Sequence, residues 1–246
     1  IDKNLTNTNN VQTSGDLSAK DTINTGTMIS EGNISLNSLD NSGEITSNKK
    51  LTTTTLENRS GAKISTGEGI QNNGTRNLGE INTNDNFVIS GNLENYSVMN
   101  IGGLLSVNNL LNTGSLKAVD KIYTSGVSFN NSGEILTTLL DINSTGILNT
   151  NKITVIDNAR LNGSNVINNG YISGTNIEVI TAGLTNTGTL AADELIKANN
   201  TTINNTGYIG SNSKVSLSGS NLTNSGTIES SEIELYNMSG YNNTSL

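Results

Sequence analysis

The amino-acid sequence predicts an all-β protein, a right-handed parallel β-helix (solenoid) of about 13 rungs with three short strands in each rung. Two observations predict this fold. A seven-residue phrase recurs, as "LTNTGTL" at Leu184–Leu190, "INNTGYI" at Ile203–Ile209 and "LTNSGTI" at Leu222–Ile228. Aliphatic residues also recur at fixed distances from the glycine of this phrase. Each strand and turn of the repeat follows from these two patterns.

The composition is typical of strands and turns built around a narrow core. Of the 246 residues, 32% are hydrophobic and only 3% are aromatic, which is too few to fill the interior of a broad globule. Disordered chains usually combine low hydrophobicity with high charge and abundant proline. Here 14% of the residues are charged and proline is absent, while Asn, Thr, Ser and Gly are abundant, so an ordered β-protein is expected.

The residue types that are missing exclude several functional classes. There is no Cys and no His, so disulfides, thiolate metal sites and a histidine general base are excluded, and we expect no metal and no cofactor. A cysteine-free chain suits export through an oxidising compartment. The net charge is −8 and the basic residues form no cluster, which argues against nucleic acid or anionic lipid as a partner. No apolar run is long enough for a transmembrane helix, so no membrane insertion is expected.

The turn of the repeat is marked by a small residue every 17 to 19 positions. Glycine fills ten of these thirteen marker positions, and asparagine fills two. Because both residue types accept a left-handed backbone conformation, we interpret the marker as a recurring turn. The marker residues are Asn9, Gly26, Gly43, Gly61, Gly79, Ser97, Gly114, Gly133, Asn151, Gly170, Gly188, Gly207 and Gly226.

Apolar positions around the marker define the strands of each rung. An aliphatic residue stands two positions after twelve of the markers: Val11, Met28, Ile45, Ile81, Met99, Leu116, Ile135, Ile153, Ile172, Leu190, Ile209 and Ile228. Another apolar residue stands four positions before ten of them: Leu5, Leu39, Leu93, Leu110, Phe129, Ile147, Val166, Leu184, Ile203 and Leu222. A third group follows with an alternating pattern, as at Val215 and Leu217 or Ile233 and Leu235. The repeat therefore contains three strands.

Stacking the repeats explains how such short strands bury one face. If each repeat is one turn of a coil, equivalent strands pair at about 4.8 Å and form three parallel sheets around the aliphatic columns. A helical solenoid would need longer segments with a 3.6-residue period, which this repeat cannot supply. The right hand follows from the preference of parallel crossover connections. Thirteen rungs at this spacing would extend roughly 60 Å.

Asparagine stands two positions before most markers, at Asn24, Asn41, Asn77, Asn95, Asn112, Asn131, Asn149, Asn168, Asn186, Asn205 and Asn224. Stacked amides could hydrogen-bond along such a column, or asparagine could simply favour the turn, and both roles are expected to be structural. The register between residues 51 and 81 is ambiguous. Gly61 is followed by Lys63 with Ile64 displaced by one position, and Gly74 competes with Gly79 as the turn.

Candidate catalytic and binding groups are few and scattered. A polysaccharide-cleaving β-helix needs carboxylates clustered on adjacent rungs. Glu44, Glu80 and Glu134 follow markers on rungs that are not adjacent, and the arginines are Arg59, Arg76 and Arg160. The best local acidic groups are Asp193 with Glu194, and Glu229 with Glu232 and Glu234.

A solvated surface accounts for these acidic groups, so we assign no catalytic residue. Gly102–Gly103 is a poor match to the calcium-binding nonapeptide. Tyr171 and Tyr208 could stack on sugars, although strand-forming residues are the simpler interpretation. No binding residue is named from the sequence.

The stretch "GLTNTGTLAADELIKANNTTINNTGYIGSNSKVSLSGSNLTNSGTI", between Gly183 and Ile228, resembles the haemagglutinin repeats of filamentous haemagglutinin and related two-partner secretion exoproteins, including the shafts of contact-dependent inhibition toxins. The resemblance covers essentially the whole chain. It implies a rod that is exported through an outer-membrane partner pore, folds outside the cell, and serves adhesion or presents a tip. The secretion domain and the toxin of those proteins are not part of this sequence.

We therefore expect residues 1–246 to form one β-helical repeat domain, a fragment of a longer rod. The next marker would fall at Ser245, in the middle of a motif. The expected function is a non-catalytic structural and adhesive shaft of a secreted filament at the bacterial cell surface. The expected partner is a receptor or glycan on a host or neighbouring cell. The alternative is a β-helical carbohydrate-active enzyme or a polysaccharide-binding protein of the phage-tail type.

Overall fold

A computed structural model describes residues 3–199, 202–238 and 240–243. Every regular element in these ranges is a β-strand, and none is a helix. Parallel pairing coils the strands into a β-solenoid of about 13 turns, which confirms the predicted fold class; the right hand of the coil stays a prediction. The chain divides into two compact units, Ile1–Asp120 and Lys121–Leu246. The single repeat domain predicted over residues 1–246 stays a prediction, and Ser245 lies outside the described residues.

The first unit contains fifteen strands and the start of a sixteenth: β1 Leu5–Asn7, β2 Asn10–Thr13, β3 Leu17–Asn24, β4 Thr27–Ser30, β5 Ile34–Asn41, β6 Glu44–Ser47, β7 Lys50–Thr52, β8 Thr55–Asn58, β9 Lys63–Thr66, β10 Gly69–Asn72, β11 Gly74–Asn77, β12 Glu80–Thr83, β13 Phe87–Asn95, β14 Val98–Ile101, β15 Leu104–Asn112 and β16 Ser115–Thr124.

The second unit contains the end of β16 and the strands that follow it: β17 Ser128–Asn131, β18 Glu134–Asn143, β19 Gly146–Asn149, β20 Lys152–Val155, β21 Asn158–Asn168, β22 Tyr171–Asn186, β23 Thr189–Asn199, β24 Thr202–Asn205, β25 Tyr208–Ser211, β26 Lys214–Ser218, β27 Asn221–Asn224, β28 Thr227–Glu229, β29 Glu232–Tyr236 and β30 Gly240–Asn243.

Three strand segments make up one turn of the coil, as predicted. In the second unit β24, β25 and β26 follow one another, and the chain then returns to pair Thr202 with Asn221 on the next rung. Elsewhere consecutive segments are joined into one longer strand. The 16-residue strand β22 continues through two corners, because the residues of its three segments pair both with the rung before and with the rung after. Short separate strands therefore describe only part of the coil.

The aliphatic columns point inward, but the third group is not buried throughout: Ile233 and Leu235 are 46% and 42% exposed, although they pair in register with the buried Val215 and Leu217. Ile153, Ile172, Leu190 and Ile209 pair in register on successive rungs, and the exposed fraction of each is zero. The column four positions before the marker is equally buried, from Leu39 in the first unit to Leu222 in the second. Each fully buried aliphatic side chain contributes about 1.5–3 kcal/mol relative to exposure, so these columns are the main source of stability.

The marker glycines have a different role from the one predicted. Among the described residues only Gly61, Gly69 and Asn237 have a positive φ, so the left-handed conformation occurs at the predicted marker Gly61 and is wrong at the other twelve. The marker glycines instead lie against the backbone of the preceding rung. A Cβ at Gly188 would collide with the carbonyl oxygen of Gly170, and a Cβ at Gly207 would collide with that of Gly188.

Two marker positions that carry a side chain, Ser97 and Asn151, show the cost of this close approach. Where the marker is Gly170, Gly188, Gly207 or Gly226, the next amide reaches the preceding marker's carbonyl oxygen over 2.7–2.8 Å. At Ser97 and Asn151 the same hydrogen bond lengthens to 3.4 Å, from Val98 N to Gly79 O and from Lys152 N to Gly133 O. Glycine is therefore favoured because it lets consecutive rungs approach closely.

The structure resolves the register between residues 51 and 81. Ile64 pairs with Ile45 and with Ile81, which makes Ala62 the marker of this rung. Lys63 lies five positions after Asn58, whereas the equivalent Glu44 lies three positions after Asn41, so this rung contains two additional residues. The φ of 78° at Gly61 lets the chain absorb them. Gly79 is the marker of the following rung, because a Cβ there would meet the carbonyl oxygen of Ala62.

The asparagine column forms a continuous ladder of buried amides in each unit. The side-chain nitrogen of each residue donates to the side-chain oxygen of the next, over 2.7–2.9 Å. The first ladder contains Asn7, Asn24, Asn41, Asn58, Asn77, Asn95 and Asn112. The second contains Asn131, Asn149, Asn168, Asn186, Asn205 and Asn224.

Both predicted roles of asparagine occur together. Asn41 donates to Asn58 along the ladder, and its side-chain oxygen accepts a hydrogen bond from the Gly43 amide of its own turn. Its nitrogen also donates to the carbonyl oxygens of Gly43 and Lys63. Asn7 and Asn58 were missing from the predicted column. Asn58 was missed because counting two positions back from Gly61 reaches Arg59, the residue after it.

Candidate functional site

The interior is filled by structural side chains, so any chemistry must be carried by the outward-facing columns. The predicted acidic candidates separate on this surface. Glu44 and Glu80 lie on either side of Lys63 in the first unit, and Lys63 Nζ is 3.3 Å from Glu80 Oε2. Glu134 is exposed in the second unit, in register with Lys152. The Lys63 rung separates Glu44 from Glu80, and Glu134 belongs to the other unit.

Two of the later acidic candidates share one lysine. Lys214 Nζ is 3.0 Å from Glu232 Oε1 and 2.7 Å from Glu234 Oε1. The hydrogen bond with Lys214 lowers the pKa of Glu234, and the hydrogen bonds with Glu234 and Glu232 raise the pKa of Lys214. Both effects favour the charged forms. Glu234 is therefore held as an ion-pair partner, whereas a general acid would need a raised pKa.

Each arginine of the first unit pairs with carboxylates of a neighbouring rung. Arg59 forms a two-pronged contact with Asp40, with distances of 2.5 and 2.6 Å, and this hydrogen bonding lowers the pKa of Asp40. Arg76 lies 2.8 Å from Glu57 and 3.5 Å from Glu94, with its guanidinium 5.4 Å from the centre of the Tyr96 ring. These contacts explain the arginines as structural groups.

In the second unit a column of alternating charge was missed by the sequence reasoning. Asp141, Arg160, Glu178 and Lys197 occupy equivalent positions on four successive rungs. The ion-pair distances along the column are 3.6, 3.5 and 3.9 Å, and Lys121 Nζ adds a contact of 2.8 Å to Asp141. The sequence contains a signal for this column, because residues of opposite charge recur one repeat length apart.

Tyr171 and Tyr208 lie in one outward-facing column of the second unit, with Thr189 on the rung between them. Tyr171 is 40% exposed. Beside the column lies a surface groove of about 400 Å³. The groove is lined by Thr154, Val155, Tyr171, Ser173, Gly174, Ala191, Ala192, Asp193, Tyr208, Gly210, Ser211 and Asn212.

The groove exists because the neighbouring outward column contains only small residues at these rungs. Ser173, Ala191 and Gly210 pair in register, and their side chains rise little above the sheet. The Tyr208 ring covers Gly210: a Cβ on that glycine would overlap the ring and its hydroxyl. The ring therefore extends along its own strand over Gly210.

A second groove of about 640 Å³ adjoins the first and shares Thr154, Tyr171 and Ser173 with it. It continues past Lys152 to Thr150. The two form one surface, which we call the tyrosine groove, and Tyr171 lines both of its halves.

Polar groups at the tyrosine groove are not used by the fold. Asp193 and Asn212 are exposed at its edge. In the part of the chain that the structure describes, neither the Asp193 carboxylate nor the two tyrosine hydroxyls make a hydrogen bond; Tyr171 and Tyr208 are hydrogen-bonded through their backbone groups. These groups can act as donors and acceptors for a ligand.

Gly102–Gly103 joins β14 to β15 and lies against residues 84–86 of the preceding rung. Across residues 3–199, 202–238 and 240–243, no group of three or more acidic residues is arranged to hold a metal ion. The same ranges contain no helix with the length and hydrophobicity needed to cross a membrane.

Comparisons with known proteins add no assignment to this geometry. The chain matches no protein-family model, no curated protein and no solved structure.

Proposed function

We propose that this chain is part of the shaft of a secreted bacterial surface filament with a structural and adhesive role and no catalytic activity. The observation that carries the proposal is that the same buried arrangement of side chains and backbone contacts repeats within each unit. The asparagine amides and the close marker contacts recur from rung to rung. Such a scaffold holds its outward columns at regular spacing, where repeated weak contacts can gain avidity.

The repeated phrase supports the more specific form of the proposal. Its resemblance to the repeats of filamentous haemagglutinin and contact-dependent inhibition proteins supports export by two-partner secretion through an outer-membrane pore. The absence of cysteine suits a chain that stays unfolded during export. The filament would then act at the cell surface, on a receptor or glycan of a host or neighbouring cell.

Adhesion can be tested with beads coated with the folded chain. We expect these beads to bind host or bacterial cells above the level of beads coated with the same chain after unfolding. Equal binding by both would contradict an adhesive role. Incubating the chain with polysaccharides provides the second readout, because turnover abolished by one carboxylate substitution would establish the carbohydrate-active alternative.

A further inference from the structure

We propose that the tyrosine groove binds a neutral β-1,4-linked glycan that lies across the rungs, with one pyranose ring on Tyr171 and another on Tyr208. This inference rests on the adhesive function proposed above and names the ligand class for it. All residues that carry it belong to the second unit.

The spacing of the two rings fits this class of ligand. Tyr171 and Tyr208 are two rungs apart in register, which corresponds to about 10 Å along the stack. An extended β-1,4-linked glycan turns each sugar over relative to the last, so every second sugar presents the same face. Two rungs match the length of that disaccharide repeat, and Thr189 lies beneath the intervening sugar.

The surface around the rings favours stacking. The Tyr208 ring extends along its strand over Gly210, and Ser173 and Ala191 keep the neighbouring column low. A pyranose can therefore lay its C–H face on a tyrosine ring and enter the groove with its hydroxyl edge. Aromatic rings with one apolar face and one polar end are typical of such contacts.

Two side chains at the edge of the groove, those of Asp193 and Asn212, can hydrogen-bond to sugar hydroxyls. The Asp193 carboxylate accepts two or more hydrogen bonds, while the Asn212 amide both donates and accepts. The Asp193 carboxylate and the tyrosine hydroxyls have no partner within the described residues. These groups can bind sugar hydroxyls without breaking any hydrogen bond of the fold.

Charge selects a neutral glycan over a polyanion. The groove contains one cation, Lys152, and one carboxylate, Asp193. The chain as a whole has a net charge of −8. A sulfated or uronic-acid polymer would therefore meet a repulsive field.

The test is isothermal titration calorimetry on the full chain with chitohexaose and cellohexaose, and with a heparin hexasaccharide as the polyanionic comparison. We expect binding of a neutral hexasaccharide and none of heparin. Tyr171→Ala and Tyr208→Ala should each weaken binding by about tenfold or more, the loss expected for one well-stacked ring. Tyr96→Ala is the matched control, because Tyr96 is also 40% exposed but lies in the first unit; its affinity should not change.

A second variant separates binding from folding. Ala191→Leu fills the groove between the rings while keeping both tyrosines, so it should weaken binding as strongly and leave thermal unfolding unchanged. Failure of the native chain to bind any neutral hexasaccharide overturns the proposal, as does binding that survives Tyr171→Ala, Tyr208→Ala and Ala191→Leu. Bead adhesion by a native chain that binds no neutral hexasaccharide rejects the glycan groove and leaves the adhesive shaft standing. Sugar binding without bead adhesion rejects the adhesive function alone.

Discussion

Each ladder asparagine satisfies several hydrogen-bonding positions in a site from which water is excluded. Asn149 has no exposed surface; its oxygen accepts from Asn131, and its nitrogen donates to Asn168 and to the carbonyl oxygen of Asn151. Removing this amide deletes the bond donated by Asn131, which keeps its bonds to the carbonyl oxygens of Gly133 and Lys152, and takes the ladder donor away from the buried Asn168 oxygen. Unpaired buried groups lose more free energy than an average hydrogen bond contributes.

We therefore predict that Asn149→Ala lowers the free energy of unfolding by about 2–4 kcal/mol. Urea denaturation followed by circular dichroism measures the change. Asn162→Ala is the matched control, since Asn162 donates to Asn143 on the exposed surface. That variant should stay within about 0.5 kcal/mol of the native chain. Equal losses for the two variants would contradict the structural role of the buried ladder.

Glycine at the marker position makes a second prediction possible. Gly188→Ala places a Cβ against the carbonyl oxygen of Gly170, whose hydrogen bond from the Thr189 amide is 2.7 Å long. Backbone must move to accommodate it, so we expect a loss of about 1–3 kcal/mol in unfolding free energy. Gly146→Ala is the control, because its nearest neighbour would be the Val127 carbonyl oxygen at 3.9 Å. A thermal-unfolding scan in which Gly146→Ala is the less stable variant would refute this explanation of the marker.

At the scale of strands and columns, ion pairs link neighbouring rungs through partly exposed side chains. Arg160 stands between Asp141 and Glu178, with 45% of its side chain exposed. Pairs with this exposure contribute little individually, about 0–1 kcal/mol. Their alternation still avoids like charges in direct register, which would destabilise the sheet.

Arg160→Glu tests this column by aligning three carboxylates. We expect it to be less stable than Arg160→Gln, because three like charges then stand on consecutive strands. The difference between the two variants should shrink between about 0.02 M and about 1 M sodium chloride, as salt screens exposed charges. Urea denaturation at both salt concentrations provides the measurement. A difference that does not respond to salt would exclude an electrostatic cause.

The Asp40–Arg59 pair, which joins adjacent rungs of the first unit, predicts a dependence on pH. Hydrogen bonding from Arg59 lowers the pKa of Asp40 below its ordinary value of 3.8. A carboxyl group with a lowered folded-state pKa stabilises the fold above that ordinary value, and the contribution is lost as pH falls through the folded-state pKa. Asp40→Asn should therefore flatten the acid side of the stability curve, measured by urea denaturation from about pH 6 to about pH 2. An unchanged acid limb would show that the pair does not contribute.

At the scale of the whole molecule, the solenoid makes interactions local. Each rung contacts the rungs beside it, so stability is close to a sum of rung and neighbour contributions. Hydrogen exchange measured by mass spectrometry should detect this in the second unit. Asn149→Ala should raise exchange in β19 and in β17 and β21, which pair with it, while β27 keeps its protection. Uniformly increased exchange throughout the second unit would indicate one global cooperative transition instead.

The sequence alone determined the period, the inward aliphatic columns and most of the asparagine column. These features repeat in every rung, so the signal accumulates and one ambiguous rung does not obscure it. It also located Tyr171 and Tyr208 two rungs apart, although it could not show the groove beside them.

Tertiary structure decided what depends on register and on close approach between residues distant in sequence. The insertion at Gly61 moved the marker to Ala62 and brought Asn58 into the ladder, because hydrogen bonds to two neighbouring rungs select one alignment. The reason for glycine at the marker lies in the carbonyl oxygen of another rung, about one repeat away in sequence. The low surface around Tyr208 likewise comes from three residues on three rungs, Ser173, Ala191 and Gly210, whose proximity only the coil creates.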